Sequence, residues 1–302
     1  MASEKLKGHL AAIITNVIFG LNINVAKSLF ASSWMTPLGF TVTRISFAFV
    51  TFWILSLFTA REKTARRDLP ILAVCGLLGL VITQVSFTVG LHLITPVTSS
   101  LIGALNPIII LLLSALFLSE SISPKKAIGV IIGMSGAILM VLHKRSDTAS
   151  SNSIIGIGIA LLSGISYSAY FVIIRKIVGK YSSITIMKWM FLLAFILLLP
   201  FGIPELPKQR LFSREASLLP ILLLGFSVFL SGILALFLLP VALKRIKATT
   251  ASIYINLQPL TASAAAIIIG QDTLTWDKPM ALILIVTGVL IVTQSKTSEI
   301  SV

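Results

Sequence analysis

Long apolar runs constrain this chain more than any other feature of its sequence. A helix needs about 20 consecutive apolar residues to cross the hydrocarbon core of a bilayer, and ten runs are of that order. They are continuous and do not alternate as the strands of a membrane barrel do, so helices are expected. The predicted helices cover residues 8–30, 38–59, 69–91, 96–118, 124–142, 154–177, 184–202, 216–240, 247–270 and 277–294.

The charge content is too low for a chain of this length to cover its surface in water. Only 11% of the residues are charged and 56% are hydrophobic, whereas soluble domains carry about 25% charged residues. A lipid environment removes the conflict, because apolar side chains can then face outward. The sequence therefore predicts an all-α membrane protein that has the lipid bilayer as a partner.

The formal net charge of +14 does not indicate nucleic-acid binding. The basic residues stand in short clusters between apolar runs, without an aromatic-rich basic face. With ten helices, 15 of the 24 Lys and Arg residues fall on one side of the membrane, six on the other, and Lys27, Arg44 and Lys188 within helices. Because basic loops stay in the cytoplasm, both termini are expected there, in a multi-pass protein of the cell (inner) membrane.

The two halves of the chain are related by a repeat at a shift of 152 residues. TSSLIGALNPIIILLLSALFLSESIS, from residue 98, aligns with TASIYINLQPLTASAAAIIIGQDTLT, from residue 250. A weaker match at a shift of 148 pairs Phe19 through Lys27 with Tyr167 through Arg175. Five is an odd number of helices, so the second copy enters the membrane from the opposite face. We predict ten transmembrane helices as two inverted five-helix repeats, residues 1–145 and 146–302.

These repeated segments resemble the EamA family of the drug/metabolite transporter superfamily. The resemblance lies in PIIILLLSALFLSESIS and PLTASAAAIIIGQDTLT, in FGLNINVAK of helix one and in Arg44 of helix two. Phe19 and Asp272 depart from the family's usual Trp and frequent Glu. The resemblance implies ten helices, cytoplasmic termini and the export or exchange of small metabolites, often amino acids.

Two prolines near the middle of helices four and nine mark the expected substrate site. Pro107 follows Asn106, and Pro259 follows Gln258. A proline removes a backbone donor and opens the helix ladder, and carbonyls freed at the midplane need a partner from protein, water or solute. A structural kink is the alternative for either proline alone, but the symmetric pair favours a polar cavity with Gly20, Pro107 and Pro259 as helix-break or hinge positions.

Other polar side chains are predicted to line the same cavity. Amides and phenols suit a polar, zwitterionic solute, and the alternative for each is hydrogen bonding between helices. Arg44 is a charge inside the membrane and is expected to face a cavity or a partner. The predicted substrate-binding residues are Asn16, Asn22, Asn24, Arg44, Gln84, Asn106, Tyr167, Tyr170, Tyr254 and Gln258.

Catalysis is not expected of this sequence. No Asp or Glu lies deep in a predicted helix, Cys75 is the single cysteine, and no glycine-rich phosphate loop is present. No cofactor and no metal site are predicted, and a monomer would be sufficient. The predicted function is a secondary transporter, a permease or exporter of small polar metabolites that works by alternating access. A non-transporting receptor or scaffold and an exporter of drugs or toxic compounds are the alternatives.

Overall fold

The computed structural model describes residues 2–59, 62–94, 99, 102–103, 105–118, 122–143, 154–213, 216–268 and 276–294. These ranges are helical apart from their turns and contain no strand. Some residues used in the charge count lie outside these ranges, namely Arg61, Lys144, Arg145, Arg214 and Lys296. The same is true of Asp272. The helices are α1 (Ala2–Ala31), α2 (Pro37–Leu57), α3 (Arg66–Leu93), α4 (Asn106–Leu118), α5 (Pro124–His143), α6 (Ile154–Lys176), α7 (Ser183–Lys208), α8 (Leu218–Arg245), α9 (248–268) and α10 (Asp277–Gln294).

Six of the described helices are long and apolar enough to cross a membrane, namely α1, α2, α3, α6, α7 and α8. The apolar helices Asn106–Leu118 and Pro279–Val292 are shorter. The described residues therefore form an all-helical, multi-pass membrane protein with six candidate spans by this criterion, fewer than the ten that the apolar runs predict.

Three helices extend well beyond their predicted bounds, namely α1, α7, which continues to Lys208, and α8. α1 begins at Ala2 instead of residue 8, and its polar first turns hold an ion pair between Lys7 and Glu4. α8 continues through Pro240 to Arg245, because a proline in a membrane helix interrupts one hydrogen bond without ending the helix. Ile246, with φ −127° and ψ 157°, then leaves the helix.

Two π-helical segments widen α3 and α8, at Leu77–Ile82 and Phe226–Ala235. A π turn leaves carbonyls available to other donors, and such turns are frequent at functional sites. In α3, the Leu78 carbonyl accepts from Thr83 Oγ1 at 2.6 Å and from Ser166 Oγ of α6 at 3.0 Å. Both segments lie beside the cavity described below.

The helices pack in a set of pairs that repeats across the chain. α2 packs on α7, α5 on α10, α1 on α8 and α9, α6 on α3 and α4, and α4 on the first turn of α9. Each helix of the first half has an equivalent in the second half, five places later in the chain. Exchanging every helix for its equivalent gives the same set of pairs, because α1–α9 becomes α6–α4 and α1–α8 becomes α6–α3. The described helices therefore share one contact pattern between the two halves.

Aromatic rings fill the contact between α2 and α7. Phe52 stacks on Phe191 with ring centroids 5.4 Å apart, and Phe49 stacks on Phe195 at 4.6 Å. Each such pair adds about 0.5–1.5 kcal/mol beyond its buried area. This contact joins the two halves of the chain.

The two ends of the α2–α7 pair are closed by hydrogen bonds between the halves. At one end, the backbone N–H and the hydroxyl of Ser182 donate to the carboxylate of Glu62 at 2.9–3.2 Å. We call this the Glu62 end. α8 ends there, since the charge of Lys244 acts on Glu62. α1 begins at the same end, because Arg245 of α8 donates to Glu4. At the other, the Thr36 end, the Leu211 N–H donates to the Trp34 carbonyl at 3.1 Å.

Candidate substrate-binding cavity

A cavity of about 130 Å³ lies between the two halves of the chain. Residues of α1, α2, α3, α6, α8 and α9 line it, together with Asn106 at the start of α4 and residues just before that helix. The lining positions lie in the later part of α3 and the earlier part of α2 and α6, so the cavity is displaced towards the Thr36 end. A water occupies about 30 Å³ of liquid volume, so this space is large enough for a small metabolite.

Arg44 supplies a buried cation to the cavity wall. Its guanidinium donates to the Ser227 carbonyl at 3.2 Å, to Gln84 Oε1 at 3.2 Å and to Ser231 Oγ at 2.9 Å. The π segment of α8 provides the first and third of these acceptors. All three are neutral, so they hold and solvate the guanidinium without neutralising its charge. An anion that reached this wall would be favoured, since an unneutralised buried charge is energetically costly.

Several buried polar atoms of the cavity lining have no hydrogen-bond partner among the residues that the structure describes. They are Asn22 Oδ1, Asn106 Oδ1, the Tyr167 hydroxyl, and both polar side-chain atoms of Asn256. A buried polar group without a partner costs about 1–3 kcal/mol, and native proteins seldom leave one unsatisfied. This grouping in one cavity fits a place where a polar solute supplies the missing partners.

Apolar side chains complete the lining. Phe19 and Ile23 come from α1 and Phe87 from α3, while Ile102 and Ala160 approach from the Thr36 end. The wall thus combines one cation and several amides with aromatic and aliphatic surface. Such a surface suits a small solute that carries both polar groups and an apolar part.

Comparison with known proteins decides the family. The model of the EamA-like transporter family matches residues 6–142 and residues 154–294. The chain belongs to the EamA-like transporter family. The membership predicted from the sequence is therefore confirmed, and with it a transporter of the drug/metabolite transporter superfamily.

Relatives of this EamA protein carry transporter names. An uncharacterized transporter of Archaeoglobus fulgidus is 26% identical over 293 residues, which cover 96% of this chain and all of the relative. The uncharacterized transporter YyaM of Bacillus subtilis is 22% identical, with 91% and 90% of the two chains covered. A probable terminal-alkyne amino-acid exporter of Streptantibioticus cattleyicolor is 24% identical over 165 residues, about half of each chain. These names point to a transporter and not to an enzyme.

A solved crystal structure has the same fold as this EamA protein. It is 18% identical, and the superposition has a TM-score of 0.73. The match covers 94% of this chain and 98% of the other chain. At this level of identity the likeness extends to the fold alone.

The structure brings six of the ten predicted site residues to the cavity. The helix-break residue Pro259 lies there as well. Gln258 also donates from Nε2 to Asn16 Oδ1 at 2.8 Å, so its amide is partly engaged inside the protein. The six are Asn22, Arg44, Gln84, Asn106, Tyr167 and Gln258.

The other four predicted residues do not line the cavity. Asn16 accepts the bond from Gln258, and Asn24 Nδ2 donates to the Ala262 carbonyl of α9 at 2.8 Å. The Tyr170 ring covers Gly79, where a Cβ would lie 2.7 Å from it. The Tyr254 hydroxyl lies 2.9 Å from His9 Nδ1, towards the Glu62 end. For these four residues the contacts are those of the alternative, bonding and packing between helices.

The backbone is irregular beside both prolines. A 3-10 segment, Ile253–Asn256, interrupts α9 before Pro259. Before Pro107, Leu105 is a turn residue that donates to the Ile102 carbonyl at 3.1 Å and accepts from Ile108 at 3.1 Å. Gly20 has a packing role, because a Cβ there would lie within 2.6 Å of the Gln258 carbonyl oxygen.

Five polar lining residues, Ser99 just before α4 among them, were not among the predicted substrate-binding residues. Asn256 has the strongest signal in retrospect, since it is an amide two residues before Gln258 in an apolar helix. Ser231 and Thr83 are small hydroxyl residues of a kind that membrane helices use widely for packing. Their sequence context does not distinguish them. The fifth is Ser163 of α6, whose hydroxyl donates to the Thr83 carbonyl at 2.9 Å.

Proposed function

We propose that this EamA protein is a secondary transporter that moves small polar metabolites, amino acids among them, across the cell (inner) membrane by alternating access. The observation that carries the proposal is the cavity between the halves, which holds a buried cation and unpartnered amides. The family and the names of the relatives support transport as such. The relative named as an amino-acid exporter supports the substrate class.

The proposed architecture has ten membrane helices in two inverted repeats, residues 1–145 and 146–302. The helix pairs support it, because exchanging the halves reproduces them. The charge distribution favours cytoplasmic termini, which assigns the Glu62 end to the cytoplasm. The cavity, displaced towards the Thr36 end, then lies nearer the outer side of the membrane. If each half adopted the conformation of the other, the cavity would be displaced towards the Glu62 end instead.

Arg44 gives the proposed site its polarity. A solute carboxylate can accept from the guanidinium nitrogens that face the cavity, while the three neutral acceptors hold the side chain in place. A solute ammonium can donate to Asn22 Oδ1 and Asn106 Oδ1, which have no other partners. The aromatic wall at Phe19 and Phe87 contacts the apolar part of the solute. This arrangement matches an amino acid in both charge and size.

Exchange or uniport is the proposed mode of transport. Among the described residues that line the cavity, none is Asp, Glu or His. A proton relay needs such a group at the point where the solute binds. The wall instead offers neutral amides, hydroxyls and a permanent cation, which do not change protonation in the physiological range. The solute gradient itself then drives the movement.

The cavity volume argues against cargo of drug size. Pockets for drug-sized ligands enclose about 300–1,000 Å³, whereas this space is about 130 Å³. An amino acid fits, and a large amphipathic compound does not fit without rearrangement of the walls. Competition by such compounds would therefore be weak compared with competition by unlabelled amino acids.

Counterflow in proteoliposomes tests the proposal. Purified protein is reconstituted into vesicles loaded with a mixture of unlabelled L-amino acids, and entry of each labelled amino acid is followed. Parallel vesicles carry sugars or nucleosides. We expect accumulation of a subset of amino acids above the level of protein-free vesicles, and loss of accumulation in an Asn106→Leu variant that still melts cooperatively. A folded wild-type protein that accumulates none of these solutes would contradict the proposal.

A further inference from the structure

A hydrogen-bonded pair in one half of the molecule has no equivalent in the other half. Gln258 of α9 donates from Nε2 to Asn16 Oδ1 of α1 at 2.8 Å. The shift of 152 residues relates Gln258 to Asn106, and the shift of 148 relates Asn16 to Gly164. Asn106 and Gly164 face each other between α4 and α6, as Gln258 and Asn16 do between α9 and α1. The equivalent of the Asn16 amide is therefore missing.

Because residue 164 is a glycine, the Asn106 amide has no side-chain partner there. Asn106 Oδ1 is buried and has no hydrogen-bond partner in the described part of the chain. A Cβ built on Gly164 would lie 2.7 Å from that oxygen, so the two positions are in direct contact. Both residues line the cavity. A side chain at residue 164 would contact this carbonyl oxygen, and the glycine leaves it without that contact.

Close packing of the helices does not explain the glycine at this position. At Gly20, a Cβ would meet backbone atoms of α9 within 3.0 Å, so the helices themselves exclude a side chain. At Gly164, the only atom of the described residues closer than 3.8 Å to a built Cβ is Asn106 Oδ1, the end of a side chain. The backbones of α4 and α6 leave room for a Cβ. What a residue larger than glycine would disturb is the Asn106 amide.

The chemistry of the open atoms indicates which solute group they bind. An amide oxygen only accepts hydrogen bonds, and Asn22 Oδ1 is a second unpartnered amide oxygen of the same cavity. An ammonium group has three donors and no acceptor, so it can serve both oxygens. A hydroxyl has one donor and adds acceptors that need partners of their own. Hydrogen bonds from a charged donor are also stronger than those from a neutral one.

We propose that Asn106 Oδ1 is the acceptor for a nitrogen-bound proton of the solute, and that Gly164 is a specificity-determining position that keeps this acceptor open. The inference rests on the proposed transport function. It adds that the first half of the molecule contacts the amino group through Asn106, whereas in the second half the equivalent Gln258 donates to Asn16. The selectivity for N–H groups comes from the Asn106 carbonyl oxygen, which accepts hydrogen bonds and cannot donate them.

A stability cycle without any solute tests the open acceptor. Gly164→Ser and Gly164→Ala are compared, each alone and combined with Asn106→Leu, by thermal melting in detergent. A serine hydroxyl can donate to Asn106 Oδ1, and an alanine cannot. When Asn106 is present, the serine variant should melt about 2 °C above the alanine variant. In the Asn106→Leu background, the serine and alanine variants should melt at the same temperature. An equal difference in both backgrounds would show that the acceptor is not open and overturn the inference.

A binding experiment tests the nitrogen-bound proton. The probes are the L-amino acids that stabilise the wild type and their N,N,N-trimethyl derivatives, which have no N–H. The wild type should prefer the free amine by about tenfold or more. Gly164→Ser and Gly164→Ala should reduce that preference to about twofold. Gly158→Ala is the matched control, a glycine of the same helix whose Cβ would meet nothing within 4 Å, and it should keep the wild-type preference.

The outcomes separate the two proposals. An unchanged preference for the free amine in the Gly164→Ser variant would overturn the inference while leaving transport intact. A wild type that binds no amino acid would contradict the proposed substrate class instead, and the stability cycle then decides alone whether Gly164 keeps the Asn106 carbonyl open.

Discussion

The hydroxyl of Thr36 donates to the carboxylate of Glu205 at 2.7 Å, and so joins the start of α2 to the end of α7. The same kind of contact recurs at the opposite end of the helix pair, where the Ser182 hydroxyl donates to Glu62 at 2.9 Å. Thr36 and Ser182 are also the N-cap residues of α2 and α7. Both ends of the α2–α7 pair are therefore held by a capping residue and a glutamate of the opposite half.

Loss of either cap should lower the stability of the protein. The Thr36 hydroxyl oxygen accepts from the Gly39 N–H at 3.1 Å, and that of Ser182 from the Thr185 N–H at 3.2 Å. Removing an N-cap costs about 1 kcal/mol, so Thr36→Ala and Ser182→Ala should each lower the melting temperature by about 2–4 °C. The control is Thr51→Ala in α2, whose hydroxyl bonds only within its helix. A control variant as unstable as the cap variants would contradict this role.

The Glu62 contact should make part of the stability dependent on pH. Desolvation raises the pKa of Glu62, but hydrogen bonds from Thr185 and Ser182 outweigh it, so the pKa lies below the ordinary value of 4.5. Because the folded-state pKa is depressed, this stabilisation is complete above 4.5 and is lost as the pH falls through the lower folded-state value. The wild type should melt above Glu62→Gln at neutral pH, and the difference should shrink on acidification below 4.5. A constant difference across this range would contradict the assignment.

Arg44 should contribute to the recognition of a carboxylate. Its charge is not neutralised by the three acceptors that hold it. In Arg44→Gln, the apparent affinity for L-leucine should fall about tenfold or more, and that for L-leucinamide, which has no carboxylate, should fall less. Arg44→Lys keeps the charge, so its affinity for L-leucine should lie between those of the wild type and Arg44→Gln. An equal loss for both solutes would assign Arg44 to holding α2 against α8 and not to the solute.

The sequence predicted the helices and the centre of the site for different physical reasons. Helix positions follow from the length of the apolar runs, which is a local property. Asn106 and Gln258 could be predicted to lie in the cavity because the duplication sets two amide–proline pairs at the midplane. The end of α8 could not be read from Pro240, since neighbouring helices decide whether a proline ends a helix in lipid.

The hydrogen-bond state of each polar residue could not be predicted from the sequence. Asn16 and Asn22 are both amides in the middle of α1, yet one accepts from Gln258 and the other has an unpartnered oxygen. Their roles depend on which neighbouring helix each one faces, and so on the tertiary packing. Gly164 has no polar group of its own, and it matters only through the Asn106 oxygen that it leaves uncovered.

Asn22 and Asn24 allow the cavity to be tested with two substitutions in one helix. Asn22 Oδ1 is unpartnered in the cavity lining, while Asn24 Nδ2 donates to the Ala262 carbonyl of α9 at 2.8 Å. Asn22→Leu should raise the KM of uptake about tenfold without loss of melting temperature, because it removes a solute contact and no hydrogen bond within the protein. Asn24→Leu should lower the melting temperature and change KM by no more than about twofold, because it breaks a bond between α1 and α9. Uptake kinetics in proteoliposomes and thermal melting of both variants check the pair, and the opposite assignment of the two effects would contradict the cavity as the binding site.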